Sequence, residues 1–301
     1  MVGLREETQS LGFISRAPSL THSMANLDLR LVALILASLA VIHGTYFSLK
    51  HNTFLDTSNP LLTTQPHPLA NTHTFASKRS PLNLIFLKWS WAWSTLAFLV
   101  LQVPRRPTRR LFQWALATAA WYACAVSFLS GPGLLARLAM ASGAVCGIHI
   151  DGVPPVAHHF APIPISFCAE GLSVSRAEHP ELFPLDMTTD HPRTFVPRLR
   201  SGHDVSGHVF LLTLAVLFLA DQLRQTRFVA YGYARVAVCA LLALWVFSLW
   251  ITSVYFHSPA EKISGFCTLV FSPSLQTKNI LTSFAVIGLA CFAFSQLPLW
   301  F

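Results

Sequence analysis

Two histidines stand where polar residues meet an apolar run, and each has a carboxylate four positions away. Asp204 precedes His208 in SGHDVSGHVFLL (201–212), and Glu261 follows His257 in YFHSPAEKISG (255–265). On a helix, positions four apart share a face. Each imidazole would then have a carboxylate to hold its tautomer and support a positive charge, which suits general acid–base or nucleophilic work. The small Ser206 and Gly207 let a bulky anion approach the backbone, and amides that open a helix donate well to phosphate oxygens. Lys262, beside Glu261, fits equally a phosphate contact or an interfacial side chain that snorkels to the headgroups. The tripeptide Ser-Gly-His occurs twice, and His203 in the first copy lies five residues before His208, about 140° around a helix of 3.6 residues per turn. It should point elsewhere, leaving the second copy to carry the chemistry. One histidine at the end of an apolar span is most often an interfacial residue, but two with matched carboxylates at one membrane face favour a site.

The elements that must hold these residues are membrane spans. The chain has 301 residues, of which 53% are hydrophobic and only 11% charged, with a mean hydropathy of +0.50; soluble domains carry roughly 25% charge. Charge-poor windows near the length a helix needs to cross a bilayer occur six times. They run from Leu31 to Leu49, Pro81 to Pro104 with a single Lys88, Leu111 to Ser130, Asp204 to Asp221, Arg235 to His257, and Asn279 to Phe301. The predicted fold class is an all-α membrane protein, a polytopic bundle of about six transmembrane helices. The apolar stretch from Leu134 to Ile150 reads as a continuation or re-entrant piece of the third span. Residues 1–26 are expected to be a flexible cytosolic tail, and 27–301 a single transmembrane domain with a lumenal loop at about 151–200. That loop is rich in Pro and His, so an irregular lid or a disordered insert is expected. His158 and His159 belong to it as plain loop residues, since no second His cluster accompanies them.

The net charge of +8 does not point to nucleic acid, because the basic residues flank apolar spans rather than cover a soluble face. Arg105, Arg106, Arg109 and Arg110 fill one short link; Arg224, Arg227 and Arg235 fill another. By the positive-inside rule both links are cytosolic. His208 opens the fourth span and His257 closes the fifth, so two antiparallel neighbours bring both to the lumenal face, with both termini cytosolic. Lys88 is costly if it meets lipid, while Trp89, Trp91 and Trp93 read as packing or an interfacial belt. Cys146 and Cys168 can face the lumen, where a disulfide is permitted. The chain has no Asn-x-Ser/Thr sequon.

The stretches GHDVSGHVFLL (202–212) and YFHSPAEKISG (255–265) resemble the two signature motifs of the fat storage-inducing transmembrane family, and FLKWSWAW (86–93) resembles that family's second-span motif. The likeness, to a fungal-type member, covers roughly residues 27 to 265. It implies catalytic histidines at His208 and His257, in a multi-pass protein of the endoplasmic reticulum that supports lipid droplet formation. The implied reaction is acyl-coenzyme A diphosphatase chemistry, releasing acyl 4'-phosphopantetheine and adenosine 3',5'-bisphosphate without a metal or other cofactor. His257 would be the nucleophile, oriented by Glu261, and His208 the general acid. The implied partners are fatty acyl-CoA and membrane lipids. The family is distantly similar to type 2 phosphatidic acid phosphatases, but Ile251 stands where those place an arginine, and their lysine and arginine motif is not recognisable here. A lipid phosphate phosphatase and a non-enzymatic scaffold for neutral lipid are the competing readings. Beyond Gly265 the last span is expected at once, yet FCTLVFSPSLQTKN intervenes, as an insertion or an unspliced intron.

Overall fold

The structure, a computed structural model, describes residues 28–55, 67–102, 108–128, 131–151, 158–183, 194–226 and 232–270. The expected N-terminal tail, the sixth apolar window and residues 271–279 of the intervening segment lie outside them. The chain is a helical membrane bundle. Among the described residues, three helices are long and apolar enough to cross a bilayer: α1 (Leu29–His51), most of α6 (Gly207–Gln225) and α7 (Gly232–Tyr255).

Helix α1 shows how composition sorts its faces. Ala33, Ala37, Ala40, Gly44 and Ser48 are buried, whereas Leu31, Ile35, Leu39, Ile42 and Tyr46 point outward. The small face lets α7 approach closely. A Cβ added at Gly44 would lie 2.7 Å from the Ser253 Cβ. Helix α6 is the centre of the bundle, with Val209, Phe210, Ala215, Val216 and Leu219 fully buried and α1 and α7 packed against it.

The second and third windows do not form long regular helices. The second begins with a π-helical segment, Leu82–Leu87, and continues as α2 (Ser90–Gln102). The third is α3 (Thr108–Trp121), which passes into a second π-helical segment, Tyr122–Val126. Their tryptophans pack through polar tips: Trp91 Nε1 donates to Thr118 Oγ1 at 3.2 Å, and Trp245 Nε1 of α7 donates to Ser94 Oγ at 3.1 Å. Trp91 is buried, but Trp89 is 63% exposed.

The stretch expected to continue the third span instead folds into α4 (Leu134–Ala141) and a strand, Val145–Asp151. Gly143, at φ +92°, turns the chain between them. The strand alternates, placing Cys146 and Ile148 on one buried face. It is the middle of a three-stranded antiparallel sheet, with His158–Pro162 on one side and Arg198–Arg200 on the other. His158 and His159 therefore lie on a strand, not in a plain loop. Helix α5 (Ile165–Glu170) follows, and a Cys146–Cys168 disulfide staples it to the central strand. Much of the predicted irregular region is thus ordered around a small core that includes Ile148, Ile163, Val174 and Phe183. Two of its described prolines stand at the ends of elements rather than inside them: Pro162 closes a strand and Pro164 caps α5.

Candidate functional site

The start of α6 and the end of α7 lie at one end of the bundle. At the opposite end, Arg30 near the start of α1 meets Asp221 of α6 at 3.6 Å, and Arg224 meets Asp221 at 3.4 Å. Helix α7 stops at Tyr255 and α8 (Pro259–Val270) starts four residues later. His257 sits in the turn between them, at φ +61°, a left-handed conformation that few non-glycine residues adopt. The turn is stabilised by a capping box. Ser258 Oγ accepts from the Glu261 amide at 3.5 Å, and the Glu261 carboxylate accepts from the Ser258 amide at 2.8 Å.

That carboxylate also faces the imidazole. Glu261 Oε2 lies 3.6 Å from His257 Nδ1, and Asp204 Oδ2 lies 4.0 Å from the same nitrogen. Glu261 is therefore where the spacing placed it, but a capped turn brings the pair together rather than one continuous helix. Asp204 is placed differently. Helix α6 begins at Gly207 with Ser206 as its N-cap, the Ser206 Oγ accepting from the Val209 amide at 3.4 Å. Asp204 thus precedes the helix, and its carboxylate turns to His257 instead of stacking on His208. The N-cap preference of serine, here two residues after Asp204, decides this.

His208, in the first turn of α6, and His257 line one cavity of about 440 Å³, together with Asp204 and Gly207. Leu55, Phe75, Leu82, Ile251 and Phe256 supply an apolar wall. Lys78, Lys88 and Arg200 also line it, and sequence reasoning assigned none of them to the site. Lys88 could have been found from its position in an apolar window; it follows the π-helical segment, its amide bonded to the Asn83 carbonyl at 3.0 Å. Arg200 and Lys78 carried no motif, and only the sheet and the chain entering that segment bring them here.

Asp204 keeps 57% of its side chain accessible, but the accessible part faces the cavity, with protein on most sides. Burial pushes its carboxyl above the usual range, opposed by the His257 charge. Burial likewise lowers Lys78 and Arg200; the charges of Arg200 and Arg198 lower Lys78 further, and that of Arg198 lowers Arg200 against the opposing charge of Asp204.

The remaining predicted residues hold the site's frame. Ser206 is buried, and its amide donates to the Glu261 carbonyl at 3.1 Å. Lys262 is fully buried and turned away from the cavity; its Nζ donates to Ser48 Oγ of α1 at 2.9 Å and lies 5.3 Å from the Phe54 ring centre. His203 does point elsewhere, its Nε2 bonded to Ser264 Oγ at 2.9 Å. His67, which no motif marked, pins the segment after α1 to the end of α7. The Leu69 amide donates to its Nδ1 at 3.1 Å, so Nε2 carries the proton and donates to the Thr53 carbonyl at 2.9 Å. Thr53 Oγ1 in turn donates to the Val254 carbonyl at 2.8 Å. Burial holds His67 below its ordinary range, in keeping with a neutral ring. Among the described residues no group of three or more His, Cys, Asp or Glu side chains is arranged to hold a metal ion.

The profile of the fat storage-inducing transmembrane protein family matches residues 71–233 and 226–274. The chain belongs to this family. The match takes in both histidines, the π-helical segment Leu82–Leu87, the small sheet and all of α8, including residues 266–270 of the segment expected as an insertion or an unspliced intron. Relatives include a Schizosaccharomyces pombe protein named acyl-coenzyme A diphosphatase fit1, 27% identical over 65% of this chain and 69% of its own length. The Xenopus tropicalis protein named acyl-coenzyme A diphosphatase FITM2 is 26% identical over 63% of this chain and 65% of its own. The chain thus spans about two thirds of the length of these family members. No solved structure matches it.

Proposed function

We propose that this family member is an acyl-CoA diphosphatase whose catalytic groups are His208 and His257. The observation that carries the reading is their presence on one cavity, with two carboxylates facing Nδ1 of His257. Carboxylates on that nitrogen favour Nδ1–H, which leaves the Nε2 lone pair free for attack. Nε2 attacks one phosphorus of the phosphoanhydride, the bond to the bridging oxygen breaks, and His208 gives its proton to that oxygen. Asp204 and Glu261 stabilise the charge that develops on His257. Water then attacks the phosphohistidine, its proton passing to His208 as the P–N bond breaks, which restores both histidines and completes release of acyl 4'-phosphopantetheine and adenosine 3',5'-bisphosphate. The apolar wall suits an acyl chain that stays in the bilayer.

The names of the relatives support this substrate over a phosphatidic acid. The site's side of the membrane is assigned to the lumen of the endoplasmic reticulum, because the arginine-rich link after α6 belongs in the cytosol and the Cys146–Cys168 disulfide suits an oxidising compartment. A role in lipid droplet formation follows from the same family likeness.

Purified protein incubated with oleoyl-CoA should yield acyl 4'-phosphopantetheine by mass, with less turnover of phosphatidic acid. His208→Ala should lose about 10²- to 10⁴-fold on oleoyl-CoA, and His257→Ala should lose all turnover. Full activity in both variants would make the histidines structural, and faster release of phosphate from phosphatidic acid would replace the substrate.

A further inference from the structure

Three cations line the same cavity as the histidines, and they come from three separate places. Lys78 lies in the chain leading into the π-helical segment Leu82–Leu87, Lys88 directly follows that segment, and Arg200 ends the strand Arg198–Arg200. The described lining sets these three basic side chains against one carboxylate, Asp204. Gathering like charges in a partly desolvated place is costly, and a site for neutral lipid would have no use for it. Arg200 is held firmly, because its strand pairs with Val145 in a sheet locked by the Cys146–Cys168 disulfide. The immediate surroundings of His257 have the opposite character. Asp204 and Glu261 repel an incoming phosphate, so cations are needed to hold one beside His257. A guanidinium presents a planar fork that matches phosphate oxygens, and two ammonium groups add point charges from other directions.

We propose that Lys78, Lys88 and Arg200 form a phosphate-recognition subsite, which seats a phosphate group of the substrate against the histidine pair. The subsite rests on the diphosphatase reading for its natural ligand. Acyl-CoA offers two sources of the same chemistry, the scissile diphosphate and the 3'-phosphate of the adenosine.

The test is binding to the detergent-solubilised His257→Ala protein, alone and with Lys78→Gln, Lys88→Gln or Arg200→Gln added. Each Gln substitution should weaken oleoyl-CoA binding about tenfold or more, the usual effect of losing a hydrogen bond to a charged group. A loss that disappears with 3'-dephospho oleoyl-CoA assigns that cation to the 3'-phosphate; an equal loss on both ligands assigns it to the diphosphate. Unchanged affinity for both ligands in all three variants overturns the subsite. Should Arg200→Gln fail to fold, Arg200→Lys and the two lysine variants carry the test. Inorganic pyrophosphate separates the two readings: if the unsubstituted protein does not cleave oleoyl-CoA but its pyrophosphate binding still weakens in these variants, the subsite stands and the reaction falls.

Discussion

At the scale of single residues, Glu261 has two duties that chemistry can separate. Its carboxylate closes the capping box on the Ser258 amide at 2.8 Å and faces His257 Nδ1 at 3.6 Å. Glutamine keeps an oxygen for the amide but carries no charge. Glu261→Gln should therefore leave the melting temperature close to that of the parent while lowering kcat. Glu261→Ala should lower kcat and also cost about 1–3 kcal/mol of stability, because the Ser258 amide loses its acceptor. Thermal unfolding measured beside initial rates on oleoyl-CoA would check both; equal rates for the Gln variant and the parent would show that the charge does not act on His257.

At the scale of elements, α8 fixes how α1, α6 and α7 meet around the cavity. Gly265 presses on the start of α6, where an added Cβ would lie 2.7 Å from the Ser206 carbonyl oxygen, and Lys262 reaches across to Ser48 of α1. Burial lowers the Lys262 amine from its ordinary 10.5 to about 8, with the Glu261 charge opposing. A lysine whose folded pKa is depressed binds its proton more tightly when unfolded. Stability should therefore rise as pH increases from about 8 towards 10.5, the window in which the unfolded chain still holds the proton. Melting temperatures at pH 7.5 and 9.5 should show a gain for the parent that is absent from Lys262→Met. Methionine fills a similar volume without a charge, so this variant should be no less stable at neutral pH. The same pH gain in Lys262→Met would place its origin in another group.

At the scale of the whole molecule, the two ends of the bundle differ in chemistry. One end gathers Asp28, Arg30, Asp221 and Arg224 in surface ion pairs; the other carries the cavity, the small sheet and the disulfide. The orientation that we propose puts the ion-pair end in the cytosol. A cysteine at Arg224 should then react with an impermeant maleimide in intact microsomes. One at Glu181, whose side chain is 65% exposed, should react only after the membrane is opened. Labelling of the Glu181 site in intact microsomes would invert the protein and move the chemistry to the cytosol.

The helical membrane class, the three long spans and the pairing of His208 with His257 at one end of the bundle were legible in the chain, because these are local facts. Apolar length sets a span, and a short link forces antiparallel neighbours. Glu261 was legible for the same reason, its four-residue spacing surviving the change from helix to capped turn. What only the tertiary structure decided are the contacts between residues distant in sequence. Asp204 was assigned to His208 because a helix was extended three residues too far; a serine cap shortened it and sent the carboxylate to His257. Residues 151–200 looked irregular because of their prolines and histidines, whereas the order of their described part comes from pairing with Val145–Asp151 and from a disulfide. Lys78, Lys88 and Arg200 share no spacing that a linear motif can express, since a strand, a π-helical segment and the chain before it converge on the cavity only when the bundle and the sheet are both formed. Lys262 fitted a phosphate as well as a headgroup, and burial against Ser48 gave it neither. Local spacing carries periodic elements and their caps; the polarity of a cavity is set by chain segments that meet only after folding, and no window of sequence contains it.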